Sequence, residues 1–261
     1  MSAAASNLID MSLFLVGGRP FPNQPSLAPV FDAFVTQAKD FFTAEEKVAL
    51  FLVGDPADEQ DRNVKERAQY EEVLRERWPE AQIETFWLNG DPETFEFPDE
   101  KSICAMIVGP GMPSSVLSYL AGNKSTSGRL VSAGVPYLGF SAGAAIVGKY
   151  AIVGGWKSNG RQITTPECAY GFDELTITDG LGLIGPSVET HVDARSAMGR
   201  AIEAMLVGKM ANVAAIDEAT CLTVTPNGRT QLAGEGRVAW LSRAGAHIDI
   251  RFESAPELSR G

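Results

Sequence analysis

The sequence predicts an α/β fold built on a mostly parallel sheet with helices on both faces. Three observations carry that expectation. Short runs such as Ser12 to Val16, Val48 to Val53 and Ile103 to Val108 are apolar throughout instead of alternating, as strands buried on both faces are. Polar stretches of near-helical period separate several of them, so strand and helix alternate along the chain. Glycine-rich turns close the strands after residues 16, 53, 108 and 140, and ligand sites in such sheets lie at those carboxyl ends.

Taken in order, residues 1–10 read as a loose tail, and residues 11–261 as a single α/β domain carrying the catalytic machinery. The strand from Ser12 ends in Gly17-Gly18, and Pro20, Pro22, Pro25 and Pro29 make the next loop irregular. A helix is expected over about Val30 to Asp40. The strand Val48 to Val53 stops at Gly54-Asp55-Pro56. Apolar positions at Val64, Ala68, Val73, Leu74 and Trp78 predict a helix within Asp58 to Trp78, ended by Pro79. Strands follow at Ile83 to Leu88 and Ile103 to Val108, then a helix at about Ser114 to Ala121 and a strand at Val135 to Phe140. Beyond it, strands are expected at Tyr150 to Gly155 and Leu175 to Thr178, and a helix at Asp193 to Val207. Val213 to Ile216, Cys221 to Thr225, Arg237 to Leu241 and His247 to Phe252 read as short antiparallel strands. The glycine-containing stretch from Trp156 to Phe172 reads as a mobile, substrate-contacting segment.

Candidate chemistry centres on Gly139-Phe-Ser141-Ala-Gly143, the G-x-S-x-G pattern of a nucleophile elbow. A strand that turns at once into a helix lifts the turn side chain clear of the sheet, and only small neighbours permit so close a packing. The plainer reading is a glycine-lined turn with a structural serine. A serine hydroxyl needs a base, and the base needs an orienting partner. The chain has only two histidines. His247 lies in an alternating, edge-like strand and reads as surface. His191 ends an apolar approach and precedes a helix, the position of an active-site loop residue. Glu189, two residues earlier, shares its face in an extended segment and is the first candidate for the orienting acid. Glu218 is the second, with Asp217 and Asp193 also in reach by position. Two backbone N–H groups are needed for an oxyanion. Ala142 supplies one, and Gly111 is the better candidate for the other, because Pro110 has no N–H.

Composition bounds the partners. The 261 residues carry a net charge of −11, with 44% apolar and 21% charged residues. Such an acidic chain is a poor match for nucleic acid or an anionic membrane. Cys104, Cys168 and Cys221 are odd in number and widely spaced, which fits buried free thiols in a reducing compartment better than disulfides or a metal site. The first ten residues lack a signal peptide's basic start and apolar core, and no apolar run reaches the ~20 residues of a membrane span. A cytoplasmic protein is expected.

The elbow, the Gly180-Leu-Gly-Leu-Ile184 approach to Glu189-x-His191, the Ala215-Ile-Asp-Glu218 segment and Gly234-Glu-Gly236-Arg-Val238 together resemble the serine peptidase family of cyanophycinase and bacterial aspartyl dipeptidase. The resemblance runs from about residue 11 to 241. It implies a class I glutamine amidotransferase-like fold, Ser141 as nucleophile, His191 as base, Glu189 as acid and an oxyanion turn at Gly109-Pro110-Gly111. It implies no cofactor and no metal, a small peptide or amide substrate, and a homodimer. Arg195 and Arg200 match the family's arginine cluster after the histidine, which implies substrate contacts; by position alone, five apart on a helix, they read equally as surface charges. Ala197 stands where a further arginine is expected, and Met112-Pro113 replaces the polar pair after the glycine turn. The expected activity is that of a serine peptidase or amide hydrolase. The alternatives are a non-hydrolytic binding protein on the same scaffold and an esterase using the same residues.

Overall fold

A computed structural model describes residues 13–19, 25–58, 60–208, 210–225 and 227–256. The expected tail at 1–10 and the prolines Pro20 and Pro22 lie outside the described residues. The elements run β1 (Leu13–Val16), α1 (Ala28–Asp40), β2 (Lys47–Val53), α2 (Arg62–Arg77), β3 (Ile83–Leu88), β4 (Ile103–Val108), α3 (Pro113–Leu120), α4 (Lys124–Ser132), β5 (Tyr137–Phe140) and α5 (Ala142–Ala145). They continue with β6 (Tyr150–Gly154), β7 (Lys157–Ser158), β8 (Arg161–Gln162), β9 (Thr176–Asp179), β10 (Ser187–Glu189), α6 (Met198–Val207), β11 (Asn212–Ile216), β12 (Thr220–Val224), β13 (Thr230–Gly234), β14 (Arg237–Ala244) and β15 (His247–Ser254).

The main sheet has the order β13-β12-β1-β5-β4-β2-β3. From β1 to β3 every pairing is parallel, and β12 and β13 close the other side antiparallel. The continuous apolar runs follow from burial on both faces. In β1, Phe14 and Val16 point into a layer with α1 and α2, while Leu13 and Leu15 join α3 and α4 on the opposite face. Each fully buried side chain of this size stabilises the fold by about 2 kcal/mol. A second sheet, ordered β10-β11-β14-β15, packs against α6 through Val213, Ala215, Ala239 and Leu241.

Local chemistry explains where sequence and structure differ. Helix α2 starts at Arg62, later than Asp58, because the Asp61 carboxylate caps it by accepting from the N–H groups of Asn63 and Val64 at 2.7 and 3.4 Å. The helix expected from Asp193 starts only at Met198. Residues 193–197 form turns, with the Arg195 N–H donating to His191 C=O and Ser196 in the left-handed region at φ +51°. Helix α4 was hidden by its Ser, Thr and Gly content, which lowers helix propensity. Strand β13 was hidden by its short Thr-Gln-Leu-Ala-Gly sequence. Among the described residues no helix is long and apolar enough to cross a membrane.

Candidate active site

The end of β5 and the four-residue α5 set the serine. Ser141 has φ +51° and ψ −105°, a conformation that costs of order 1–3 kcal/mol and persists only where surroundings impose it. Hydrogen bonds and close packing do so. The Ser141 N–H donates to Val16 C=O at 3.0 Å, and its own C=O accepts from Ala144 and Ala145 N–H at 3.0 and 2.8 Å. The buried Tyr137 hydroxyl donates to Gly143 C=O at 2.6 Å. Gly143 lies so close to β4 that a Cβ there would sit 2.2 Å from the Val108 carbonyl oxygen.

His191 stands beyond the end of β10, also left-handed at φ +56°. Its N–H donates to Gly17 C=O at 2.9 Å, and the next N–H, of Val192, to Ile216 C=O at 3.2 Å. The loop is therefore fastened to the carboxyl ends of β1 and β11. This brings His191 Nε2 within 2.6 Å of Ser141 Oγ. The imidazole and the serine are both buried, at 2% and 5% exposure.

The imidazole's other nitrogen corrects the expectation for the acid. Nδ1 is hydrogen-bonded to the Glu218 carboxylate, from the turn after β11. Glu189 is not on the ring. Its two oxygens accept from Arg200 Nη2 and Nε at 2.7 and 2.8 Å, a bidentate pair with side chains 1% and 2% exposed. Glu189 misses the ring because it is in the strand while His191 has left it with positive φ, so the two side chains no longer share a face. Asp217 turns away, its carboxylate accepting the Arg237 N–H at 3.1 Å. Burial, then the nearby Asp193 charge, raises its pKa above the usual aspartate range.

Glu218 is held by two features outside the sequence-level reading. The Asp193 carboxylate accepts the Glu218 N–H at 2.7 Å and the Ala194 N–H at 2.8 Å. Gly17-Gly18 leaves the space: a Cβ on Gly18 would lie 2.5 Å from Glu218 Cδ, and one on Gly17 would lie 2.2 Å from the Asp217 carbonyl oxygen. The glycine pair after the first strand was the available signal, since a tight approach by another backbone is one reason for glycine at a strand end.

The arginines also part company. Arg200 was expected at the substrate, but it is buried beneath the surface, where it also donates to Cys168 C=O at 2.7 Å. Burial opposes its charge, yet the Glu189 carboxylate outweighs that and raises its pKa. Arg195 is only half-buried, and its guanidinium donates to the Tyr170 hydroxyl. Both guanidinium carbons lie 5.6 Å from the Tyr170 ring centroid. Burial pushes the Tyr170 phenol up to about 12, the two arginines working the other way. The segment from Trp156 to Phe172 is stitched down here: Thr164 Oγ1 donates to Arg195 C=O at 3.0 Å and Ser158 Oγ to Glu203 at 2.7 Å.

For the oxyanion candidates, Val108 pairs with Gly139 across β4 and β5, so the turn holding Gly111 leaves the sheet beside the elbow. The Ala142 N–H opens α5, where a helix has no internal acceptor for it. A cavity of about 530 Å³ lies elsewhere, at the start of β1, lined by Leu13, Ile184, Val224 and Trp240 and by none of the residues above.

No protein-family model and no curated protein matches this chain. Among solved structures, it is similar to a peptidase from an acI-B1 Actinobacterium, with a TM-score of 0.56 and 16% identity over 95% of this chain and 96% of the other. A protein of Listeria monocytogenes EGD-e, provisionally assigned as a peptidase E, has a TM-score of 0.44 and 14% identity over 94% of this chain and 100% of that one. The chain thus shares the fold of a solved peptidase, class I glutamine amidotransferase-like, with a mostly parallel central sheet, flanking helices and antiparallel C-terminal strands.

Proposed function

We propose that this protein is a serine hydrolase cleaving an amide bond in a small peptide-like substrate. The observation that carries the reading is the hydrogen-bonded chain from Ser141 Oγ through His191 to Glu218. Ser141 Oγ attacks the substrate carbonyl while His191 Nε2 takes its proton, forming a tetrahedral oxyanion. The Glu218 carboxylate accepts Nδ1–H, which fixes the tautomer that leaves Nε2 free to act as base and stabilises the imidazolium. Ala142 and Gly111 N–H groups receive the oxyanion. His191 then returns the proton to the leaving amine, and a water activated by the same imidazole releases the acid from Ser141. No step draws on a cofactor. Peptidase action in particular is supported by the shared fold with the actinobacterial peptidase. Arg195 binds a substrate carboxylate, a role that its half-buried, Tyr170-braced guanidinium suits.

The test is labelling with a fluorophosphonate, read by mass spectrometry, on wild type, Ser141→Ala and His191→Ala. Adduct at Ser141 that is lost in His191→Ala is expected. A folded wild type that neither labels nor hydrolyses a dipeptide and amide library would overturn the reading in favour of a binding protein. Matched ester and amide substrates then separate esterase from amidase work.

A further inference from the structure

We propose that β15 is a homodimerisation edge, pairing antiparallel with β15 of a second copy of this chain to join two four-stranded sheets into one of eight. Among the described residues β15 is the outer strand of its sheet, paired on one side only, with β14. Antiparallel pairing uses every second residue's N–H and C=O on one side and leaves the alternate ones open. Such an edge invites another strand unless something blunts it. Among the described residues neither a bulge nor a proline nor a lysine does so here: the eight residues His247-Ile-Asp-Ile-Arg-Phe-Glu-Ser254 pair with β14 in unbroken register, and the charges they carry are of both signs.

The side chains specify the partner and the register. A two-fold axis at Ile250 sets residues whose numbers sum to 500 opposite one another. Asp249 then faces Arg251 of the partner subunit, and His247 faces the partner's Glu253, each pair occurring twice. On the other face Ile250 meets the partner's Ile250, and Ile248 meets the partner's Phe252. Among the described residues Ile250 and Phe252 are two of the few large apolar side chains left exposed, at 40% and 51%. Moving the axis one residue either way sets Asp249 on the partner's Asp249, or Arg251 on the partner's Arg251. The strand is therefore complementary to itself in one full-length register and repelled in both neighbours. Opposite charges directly across a pair favour it and like charges oppose it. Among the described residues of one chain Arg251 pairs only with Glu253, at 3.5 Å and largely exposed, so its charge is available.

The experiment is sedimentation of the full chain over a concentration series, with circular dichroism and melting as fold controls. Wild type is expected to form a reversible dimer. Arg251→Asp, which puts two carboxylates opposite each other twice, is expected to weaken the dimer about ten-fold or more. The double variant Asp249→Arg with Arg251→Asp restores the complement and should recover the wild-type dissociation constant. Ile250→Cys under mild oxidation should give a disulfide-linked dimer across the axis, whereas Asp249→Cys should not. A monomeric wild type up to about 100 μM, a single reversal without effect, a double variant no better than the single, or no cross-link through position 250 would overturn the proposal.

Discussion

Two glutamates within reach of one histidine by sequence have opposite fates. Glu189, two residues from His191, is buried at 1% exposure and locked to Arg200; Glu218, 27 residues away, is 24% exposed and touches the imidazole. The difference is one of surroundings. A fully buried carboxylate must have its charge matched on the spot, and Arg200 does so with two parallel hydrogen bonds. Glu189 is thereby committed to holding β10 against α6. Glu218 sits in a turn at the rim, where water shares its solvation and one oxygen is left for the ring. The nearer acid serves architecture, the farther one serves the histidine.

Substitutions that strike one glutamate and spare the other sharpen this contrast. The largest effect is expected from Glu218→Gln, which offers the ring a competing donor. Turnover should fall about 10⁴-fold with melting temperature nearly unchanged, whereas Glu189→Gln should lower the melting temperature first. Equal kinetic losses in both, at equal stability, would dissolve the distinction. Next comes Arg200→Ala, which strands a buried charge and should cost about 3–5 kcal/mol in chemical denaturation. The double variant Arg200→Met with Glu189→Leu should recover much of that, and its failure to do so would point to the Cys168 contact instead. Gly18→Ala probes the space left for Glu218. A displaced carboxylate should lower kcat about 100-fold while fluorophosphonate labelling at Ser141 slows in parallel. Arg195→Ala is expected to raise KM about ten-fold for carboxylate-bearing substrates and to leave neutral amides unaffected. The smallest effect belongs to Tyr137→Phe, which removes the bond to Gly143 C=O and should cost about 1 kcal/mol of stability.

The sheet was legible because burial on both faces writes strands as unbroken apolar runs, and the glycine turns marked its carboxyl edge. The elbow was legible because the close packing of Gly143 on β4 requires a small residue. What failed was inference across a change of backbone. Period-two reasoning holds while the chain stays extended, and His191 leaves the strand with positive φ. In the sequence Arg195 and Arg200 form one cluster. Arg195 lies in the turns before α6, whereas Arg200 is on the buried side of that helix, which starts only at Met198. Asp193 is near the ring by position, yet its carboxylate holds the Glu218 backbone. Tertiary proximity of that kind leaves no periodic trace.

The short end of β1 ties these pieces together. Val16 C=O holds the serine amide, Gly17 C=O holds the histidine amide, and Gly17 N–H donates to Thr220 C=O at 3.0 Å. Leu13 to Val16 also pair with Val224 to Cys221. An early segment is thus completed by strands some two hundred residues later, which makes these contacts among the last a growing chain can form. On a ribosome Ser141 would emerge well before Glu218, so the hydrogen-bonded chain from serine through His191 to glutamate could not yet form beside the nascent chain. Under the proposed mechanism the site is complete only once the C-terminal strands have been made.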